Sequence, residues 1–345
     1  MEGRRLMSDF RFGIWGCGLI SAFHADAIQK IEGAVLVGAY DLNEEAQHKL
    51  CAAHQAKAFS SIEALVCSPD IDAVCICLPS GLHYEAAMRC IQAGKHVVIE
   101  KPLALTSTQA GDIVQAAKEH RVCVSVISQL RYSRAVQKVK RIVDSGKLGK
   151  ITVGNAIMKY WRSPEYYAKS PWRGTWAMDG GGALMNQGIH GVDLLQYLMG
   201  RIVSVFAYAK TLVHEIETED TLTAVLEYEN GAIGTIQATT SVSPGYGRRI
   251  EICGSRGSVV LCEDTIEVCD VEGEMPTDSV GQKEHASASN PSGIDCTLHA
   301  EQLSEFVKAV RAERLPQIDA REGKKSVDII CAIYESARTG KKVFL

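Results

Sequence analysis

Through residue 127 the chain alternates short apolar runs with amphipathic stretches. Residues 10–15, 34–40, 56–59, 72–78, 97–99 and 122–127 read as strands, because short apolar runs bounded by turn signals are the mark of buried strands. The segments between them, ending near 31 and covering 43–54, 62–66, 84–93 and 106–120, carry helical spacing. Strands alternating with helices at this interval predict a doubly wound parallel sheet, an α/β Rossmann domain. The pattern changes near 128–131. A helix over 135–144, a strand over 151–160, an irregular aromatic loop and a further helix lead into a strand-rich stretch, 203–213, 221–228, 233–240, 248–253, 258–262 and 265–269. Asn230-Gly231 and Arg256-Gly257 suit tight hairpin turns, so this sheet is expected to be large and mainly antiparallel. Helices should cover one of its faces. The open face should be apolar enough to need a second subunit. Residues 272–296 read as a polar surface loop, and helices over 298–312 and 321–339 close the chain. The expected division is a dinucleotide domain over 1–128 and an α+β substrate and oligomerisation domain over 129–345.

Composition narrows the function classes. The 37 basic and 41 acidic residues nearly balance, with no basic run to recruit nucleic acid. The twelve cysteines form neither a CxxC nor a zinc-type spacing, so no metal site is expected, and reduced thiols point to a cytoplasmic protein. No apolar run approaches ~20 residues, the length needed to cross a bilayer. The opening MEGRRLMSDF lacks the apolar segment of a signal peptide. A soluble protein without membrane contact is the expectation.

Candidate chemistry clusters where strands end. The first strand runs into Gly16-Cys17-Gly18-Leu19-Ile20-Ser21, followed by a helix and a second strand ending in Asp41. In that βαβ setting Gly16 permits the tight turn, and Gly18 lets the backbone approach a pyrophosphate at the helix N-terminus. A carboxylate at Asp41 accepts hydrogen bonds from a ribose and repels a 2′-phosphate, and no Lys or Arg adjoins it, which favours NAD over NADP. The loops after the fourth and fifth strands add Leu78, Pro79 and His83, then Glu100 and Lys101. With Gly16, Gly18, Leu19, Ile20, Asp41 and Gln129 they make up the expected cofactor-contacting set. Glu100 and Lys101 are expected to face each other over a cleft, Lys101 as a catalytic group.

The second half carries a loop rich in rings and guanidinium groups, among them Arg162, Tyr166, Trp172 and Arg173, which suits a polar, ring-shaped or anionic ligand. Three glycines then open a helix with Asn186 and His190 at i and i+4 on one face. His190 is the acid–base candidate and Asn186, Arg162, Trp172 and Arg173 the substrate-binding candidates. Asp193 is expected to orient the imidazole or pair with backbone.

Together GCGLIS, LPSGLH, GKHVVIEKPLA, GGGALMNQGIHGVDLLQYLMG and the closing ESARTGKKV resemble the glucose–fructose oxidoreductase / inositol dehydrogenase / MocA (Gfo/Idh/MocA) family along nearly the whole chain. The resemblance implies an NAD domain joined to an open-faced α+β domain, assembled as a homodimer or homotetramer. It implies oxidation or reduction of a secondary alcohol of a sugar or sugar nucleotide, with Lys101 and His190 at the reacting carbon. Polyol-oxidising members such as inositol dehydrogenase commonly carry Asp where this chain has Asn186. A similar Asn occurs in members acting at C3 of nucleotide-linked N-acetylglucosaminuronate, which tilts the expected substrate towards a derivatised sugar. An inositol or free-sugar dehydrogenase is the alternative, and a non-catalytic NAD-binding sugar sensor the alternative of another class. The residues leave open which of Lys101 and His190 takes the proton, and whether the bond to Pro102 is cis.

Overall fold

A computed structural model of the chain describes residues 9–276 and 295–345. The polar-loop expectation over 272–296 therefore falls, for 277–294, outside the described residues. So does most of the leader reading at the N-terminus.

The chain packs as two units. The first holds the chain up to Ala104 together with Thr108–Gln129 and Asp295–Gly323; the second holds Leu105–Ser107, the chain from Leu130, and Lys324–Leu345. The sequence placed everything after 128 in the second domain. The packing instead returns helix Thr297–Arg311 to the first unit.

In the first unit β1 (Phe10–Trp15), β2 (Ala34–Tyr40), β3 (Lys57–Ala58), β4 (Ala73–Ile76), β5 (His96–Ile99) and β6 (Val124–Val126) form one parallel sheet in the order β3-β2-β1-β4-β5-β6. Helices α1 (Leu19–Gln29), α2 (Glu44–His54), α3 (Ile62–Val66), α4 (His83–Gln92) and α5 (Ser107–Glu119) connect them. All four β4 residues and three of the four in β5 are buried, which is why these runs are apolar without alternation. The order reverses between β1 and β4, so the loops leaving β1, β4 and β5 flank the crevice where parallel sheets hold ligands. The returning helix packs Phe306 against Phe10 and Phe12, with ring centroids 6.2 and 6.4 Å apart. Its Gln302 accepts from Ser128 N (3.0 Å) and donates to the Val126 carbonyl (2.7 Å).

The second unit is built on eight strands, β7 (Ile151–Lys159), β8 (Ile202–Lys210), β9 (Thr221–Tyr228), β10 (Ile233–Thr239), β11 (Arg249–Gly254), β12 (Gly257–Cys262), β13 (Thr265–Asp270) and β14 (Val343–Phe344). Their order is β13-β12-β11-β7-β10-β9-β8-β14, with β7 and β10 parallel and every other neighbour antiparallel. Helices α6 (Arg134–Asp144) and α7 (Ile189–Met199) and the final helix join one core with the inward residues of the sheet, Ile236, Leu222 and Ile252 among them. The burial of β9 alternates residue by residue, as a half-covered strand requires. Its outward side and those of its neighbours leave Tyr208, Val225 and Ile233 exposed.

Candidate active site

The glycine turn forms as its spacing predicts. Gly16 has φ +97°, and a Cβ there would lie 2.6 Å from the Cys77 carbonyl oxygen, so only glycine fits. Ser21, in place of a third glycine, is fully buried and donates its hydroxyl back to the Gly18 carbonyl at 2.5 Å. Asp41 accepts from Cys17 N (2.6 Å) and Asn43 N (2.7 Å), which ties the end of β2 to the glycine turn. Asn43 caps α2 through Ala46 N, leaving Asp41 out of that task.

The next two loops are braced against each other. The His83 ring bridges the carbonyls of Pro102 (2.6 Å) and Leu78 (2.8 Å), and burial lowers its affinity for a proton. A neutral ring carries one N–H, so His83 donates to one of these carbonyls at a time while its ring packs between the loops after β4 and β5. Pro79 precedes the single turn Ser80–Leu82, and Leu78 approaches Gly16. The peptide bond between Lys101 and Pro102 is cis.

Glu100 does not open onto a cleft as expected. Glu100 turns inward: its Oε1 lies 2.8 Å from Nε2 of His24 on α1, with His299 Nε2 4.0 Å away, and its Oε2 accepts from Lys101 N at 3.2 Å. Burial works against ionisation of Glu100, yet the His24 hydrogen bond and charge, followed by His299 and Lys101, hold its carboxyl at about 2. Burial also works against protonation of His24, but Cys77, Cys75 and Glu100 facing the ring outweigh it and hold the ring well above its ordinary value. Burial pushes His299 down to about 4. This buried pair therefore fixes the backbone that presents Lys101, which is itself half-buried.

In the second unit the arginines are committed to neighbours. Buried Arg162 donates to Gln187 Oε1 from Nε (3.2 Å) and from an Nη (2.7 Å), and stands over the rings of Tyr160 and Tyr166. Arg173 stacks on Tyr166 with 4.1 Å to the ring centroid, lies over Trp172 at 5.4 Å, and leaves its Nε buried without a hydrogen-bond partner among the described residues. Gln187 donates to Tyr166 Oη (2.7 Å) and, more weakly, to Asn186 Oδ1 (3.4 Å). Asn186 donates to Asp179 Oδ1 (2.5 Å), whose other oxygen accepts from Gly174 N (2.9 Å). Arg162, Arg173 and Asn186 thus belong to one polar network. Trp172 joins it through Arg173.

Two readings of this helix change. Residues Ala183–Gly188 form a π-helical turn, and the α-helix begins only at Ile189, so the i, i+4 register assumed between Asn186 and His190 is interrupted. His190 stands half-buried in the first α turn. Asp193 is engaged by a guanidinium: it takes a two-pronged bond from Arg131, at 2.9 and 2.6 Å, with Ser326 Oγ at 3.4 Å.

Residues 10–128 match the description "Oxidoreductase family, NAD-binding Rossmann fold", and residues 136–260 match the "GFO/IDH/MocA C-terminal domain". The chain belongs to the Gfo/Idh/MocA oxidoreductase family. Its fold is that of the WlbA dehydrogenase from Bordetella pertussis, solved in complex with NADH and UDP-GlcNAcA, at 35% identity and a TM-score of 0.89 over 98% of each chain. The WlbA enzyme of Chromobacterium violaceum, solved with the same pair, gives 33% and 0.89 over 100% of this chain and 99% of that one. The myo-inositol 2-dehydrogenase of Thermotoga maritima is 28% identical over 97% of this chain and 98% of its own.

NAD is the cofactor of this family's Rossmann domain, and the residues present fit it. A Cβ on Gly18 would meet nothing within 4 Å, leaving open space over the turn. Leu19, just after the turn, and Leu42, just after Asp41, expose large apolar side chains. Burial, then Asp41, pushes the Cys17 thiol up to about 12, so it adds no negative charge where phosphates would lie. Gln129 keeps its side-chain oxygen buried without a hydrogen-bond partner among the described residues. Gly16, Gly18, Leu19, Ile20 and Asp41 would hold the adenosine and pyrophosphate end, with Leu78, Pro79 and the Glu100–Lys101 turn beyond.

The sequence reading missed His24, His299, Asp179, Gln187 and Glu219. A histidine in an apolar helix, as at His24, was the one available signal. His299 and Glu219 meet their partners only through tertiary packing.

Proposed function

We propose that this member of the family is an NAD(H)-dependent dehydrogenase of a sugar secondary alcohol, with ring C3 of a nucleotide-linked N-acetylglucosaminuronate-type sugar as the favoured position. The observation that carries the substrate choice is Asn186. An amide already bonded to a carboxylate serves to orient a hydroxyl or carbonyl and cannot remove a proton, unlike the Asp of the polyol-oxidising relatives. The B. pertussis WlbA enzyme, solved with a sugar nucleotide of this kind, supports the same choice.

Bound NAD supplies the hydride acceptor or donor. The chain's own part is the proton. Lys101, presented by a braced turn at a strand's carboxyl end, stabilises the developing alkoxide, and His190 takes or returns the hydroxyl proton. Both acting on one hydroxyl is what this reading requires, because the proton must leave as the hydride does. The Arg162–Tyr166–Arg173 cluster supplies planar donors and ring faces for the remainder of the substrate. The chain is further proposed to work in the cytoplasm, consistent with its free cysteines, and as a homo-oligomer formed through the open sheet face.

A screen of UDP-N-acetylglucosaminuronate, cyclitols and free sugars against NAD-loaded protein tests the substrate. The T. maritima relative makes myo-inositol the second candidate. On the substrate found, Lys101→Met or His190→Asn should each lower turnover by roughly a hundredfold or more, the scale for losing a positioned proton-transfer group. Fluorescence titration should show little change in NAD affinity. Near-normal turnover in either variant overturns that residue's role, and NAD binding without turnover on any sugar favours a sensor.

A further inference from the structure

The helix that carries Asn186 and His190 starts with its N–H groups already held from outside. Gly182 N donates to Glu219 Oε2 (3.0 Å), Ala183 N to the Glu219 carbonyl (2.9 Å), Leu184 N to Glu219 Oε1 (2.8 Å) and Met185 N to the Tyr334 hydroxyl (3.2 Å). Tyr334 in turn donates to Glu219 Oε1 at 2.8 Å. A helix start ordinarily leaves four such donors to a local capping side chain or to water. Here one acid just before β9 and one phenol from the last helix take all four. Glu219 is 3% exposed, and its partners are N–H and O–H dipoles rather than cations.

The clamp closes directly on backbone. A Cβ on Gly182 would lie 2.0 Å from the Glu219 carbonyl oxygen, and one on Gly181 2.1 Å from the Tyr334 hydroxyl. The glycine run, which the sequence offers only as a flexible approach, is what admits these acceptors. The stretch they hold is the π turn Ala183–Gly188, an irregular register seldom stable without outside support.

We propose that Glu219, with Tyr334, is a positioning residue of the reaction: the clamp sets the register of the π turn, and so the presentation of Asn186 and His190, and it holds most firmly when Glu219 is ionised. The proposal rests on the reading of Asn186 and His190 as substrate-handling residues. Burial raises the Glu219 carboxyl to about 7, against the pull of Leu184 N, the Tyr334 hydroxyl and Gly182 N. The titratable groups around it are Tyr334, held protonated by burial and by Glu219, and Asp179, which acts on Tyr334 and bonds Asn186. A carboxylate accepts from all three donors. The neutral acid must carry its own proton on one oxygen and weakens one of those bonds. The hold therefore tightens as the pH rises through about 7. Folding stability moves the other way. A raised acid contributes stability that is full below its ordinary 4.5 and is lost as the pH rises through about 7. A purely structural role would make activity and stability fall together.

The test follows amide exchange over 182–190 by mass spectrometry, corrected for intrinsic rates, in the NAD-loaded full chain across this pH range. It is paired with turnover on the substrate found above, for wild type, Glu219→Gln and Tyr334→Phe. Wild-type protection should rise with pH. Glu219→Gln, which turns an amide N–H towards Gly182 N, should abolish that dependence and lower kcat roughly ten- to hundredfold, the scale for a small misplacement of catalytic groups, with KM for NAD unchanged. Tyr334→Phe removes one donor to Glu219 and should shift both transitions to higher pH. Unchanged exchange in Glu219→Gln, or a kcat within twofold of wild type, overturns the proposal. If Glu219→Gln does not fold, an unshifted Tyr334→Phe overturns it instead. Loosened exchange in Glu219→Gln beside full turnover in His190→Asn would keep the clamp and refute the functional reading.

Discussion

Replacing His24 by Leu tests whether the turn presenting Lys101 rests on a buried charge pair. His24 is fully buried and Glu100 is 6% exposed, so solvent cannot neutralise the carboxylate that the substitution strands. Removing one partner of such a pair destabilises by ~3–5 kcal/mol, whereas replacing both by apolar residues is often neutral. For a chain of this size that loss should lower the melting temperature by about 10 °C. The double variant His24→Leu/Glu100→Leu should recover most of it, short of about 1 kcal/mol for the lost bond to Lys101 N. The pH dependence gives an independent check. Glu100's depressed carboxyl contributes stability present above its ordinary 4.5 and lost as the pH falls towards about 2. His24's raised ring contributes stability present below its ordinary 6.5 and lost as the pH rises through its folded value. The pair is thus at full strength between those two values. In His24→Leu, burial lifts the Glu100 carboxyl, so the deficit should shrink as the solution is acidified. Calorimetric melts of the NAD-free single and double variants across that range decide the matter. A single variant within ~1 kcal/mol of wild type, or a double variant no better than the single, refutes the reasoning.

Two further outcomes follow from the same structure. Wild type should bind NADH more tightly than NADPH, and Asp41→Ser with Leu42→Arg should move the preference by roughly tenfold or more in fluorescence titrations, the scale of one charge-assisted hydrogen bond; tighter NADPH binding by the unmodified protein refutes the role of Asp41. The exposed Tyr208, Val225 and Ile233 on the open sheet face should be covered by a second copy in solution, so sedimentation at micromolar concentration should exceed the 37.5 kDa of one chain, and a monomer contradicts it.

The parallel sheet was legible because its strands are short apolar runs with loops at fixed intervals, a pattern written locally. The cofactor turn was legible because Gly16 is demanded by a positive φ, and a backbone requirement leaves a one-residue signature. The return of helix Thr297–Arg311 was not. Its apolar face says that it must be covered, and nothing in that face says that Phe10 and Phe12, nearly three hundred positions earlier, will cover it. Asp193 misled for a related reason: one turn from a histidine is a plausible place for an orienting acid, but Arg131, 62 positions away, satisfies it more fully. The π turn escaped the reading because helical periodicity assumes a constant register, and Glu219 and Tyr334 impose the irregular one from outside the segment.

Asn186 shows how a neighbour dictates a residue type. Its amide donates to Asp179 at 2.5 Å, and Asp179 is held by Gly174 N on its other oxygen. A carboxylate at position 186 would stand against a second carboxylate. With charge centres about 4 Å apart, two unit charges repel by about 4 kcal/mol even at an effective dielectric near 20, so one of the two must keep a proton. Asn186→Asp should therefore install an acid that donates to Asp179 as the amide does, and should supply no new base. Turnover at neutral pH should fall only a few-fold, the scale of a disturbed hydrogen bond. It should then drop steeply on the alkaline side, where the shared proton is lost and the pair pushes apart. A pH–rate profile on the identified substrate reads this directly. Turnover in the variant that rises with pH and exceeds wild type would mean the new carboxyl works ionised, as the inositol-oxidising relatives' Asp is expected to work. In that case the choice of Asn over Asp, and not the Asp179 contact, would be what keeps this enzyme from polyol chemistry.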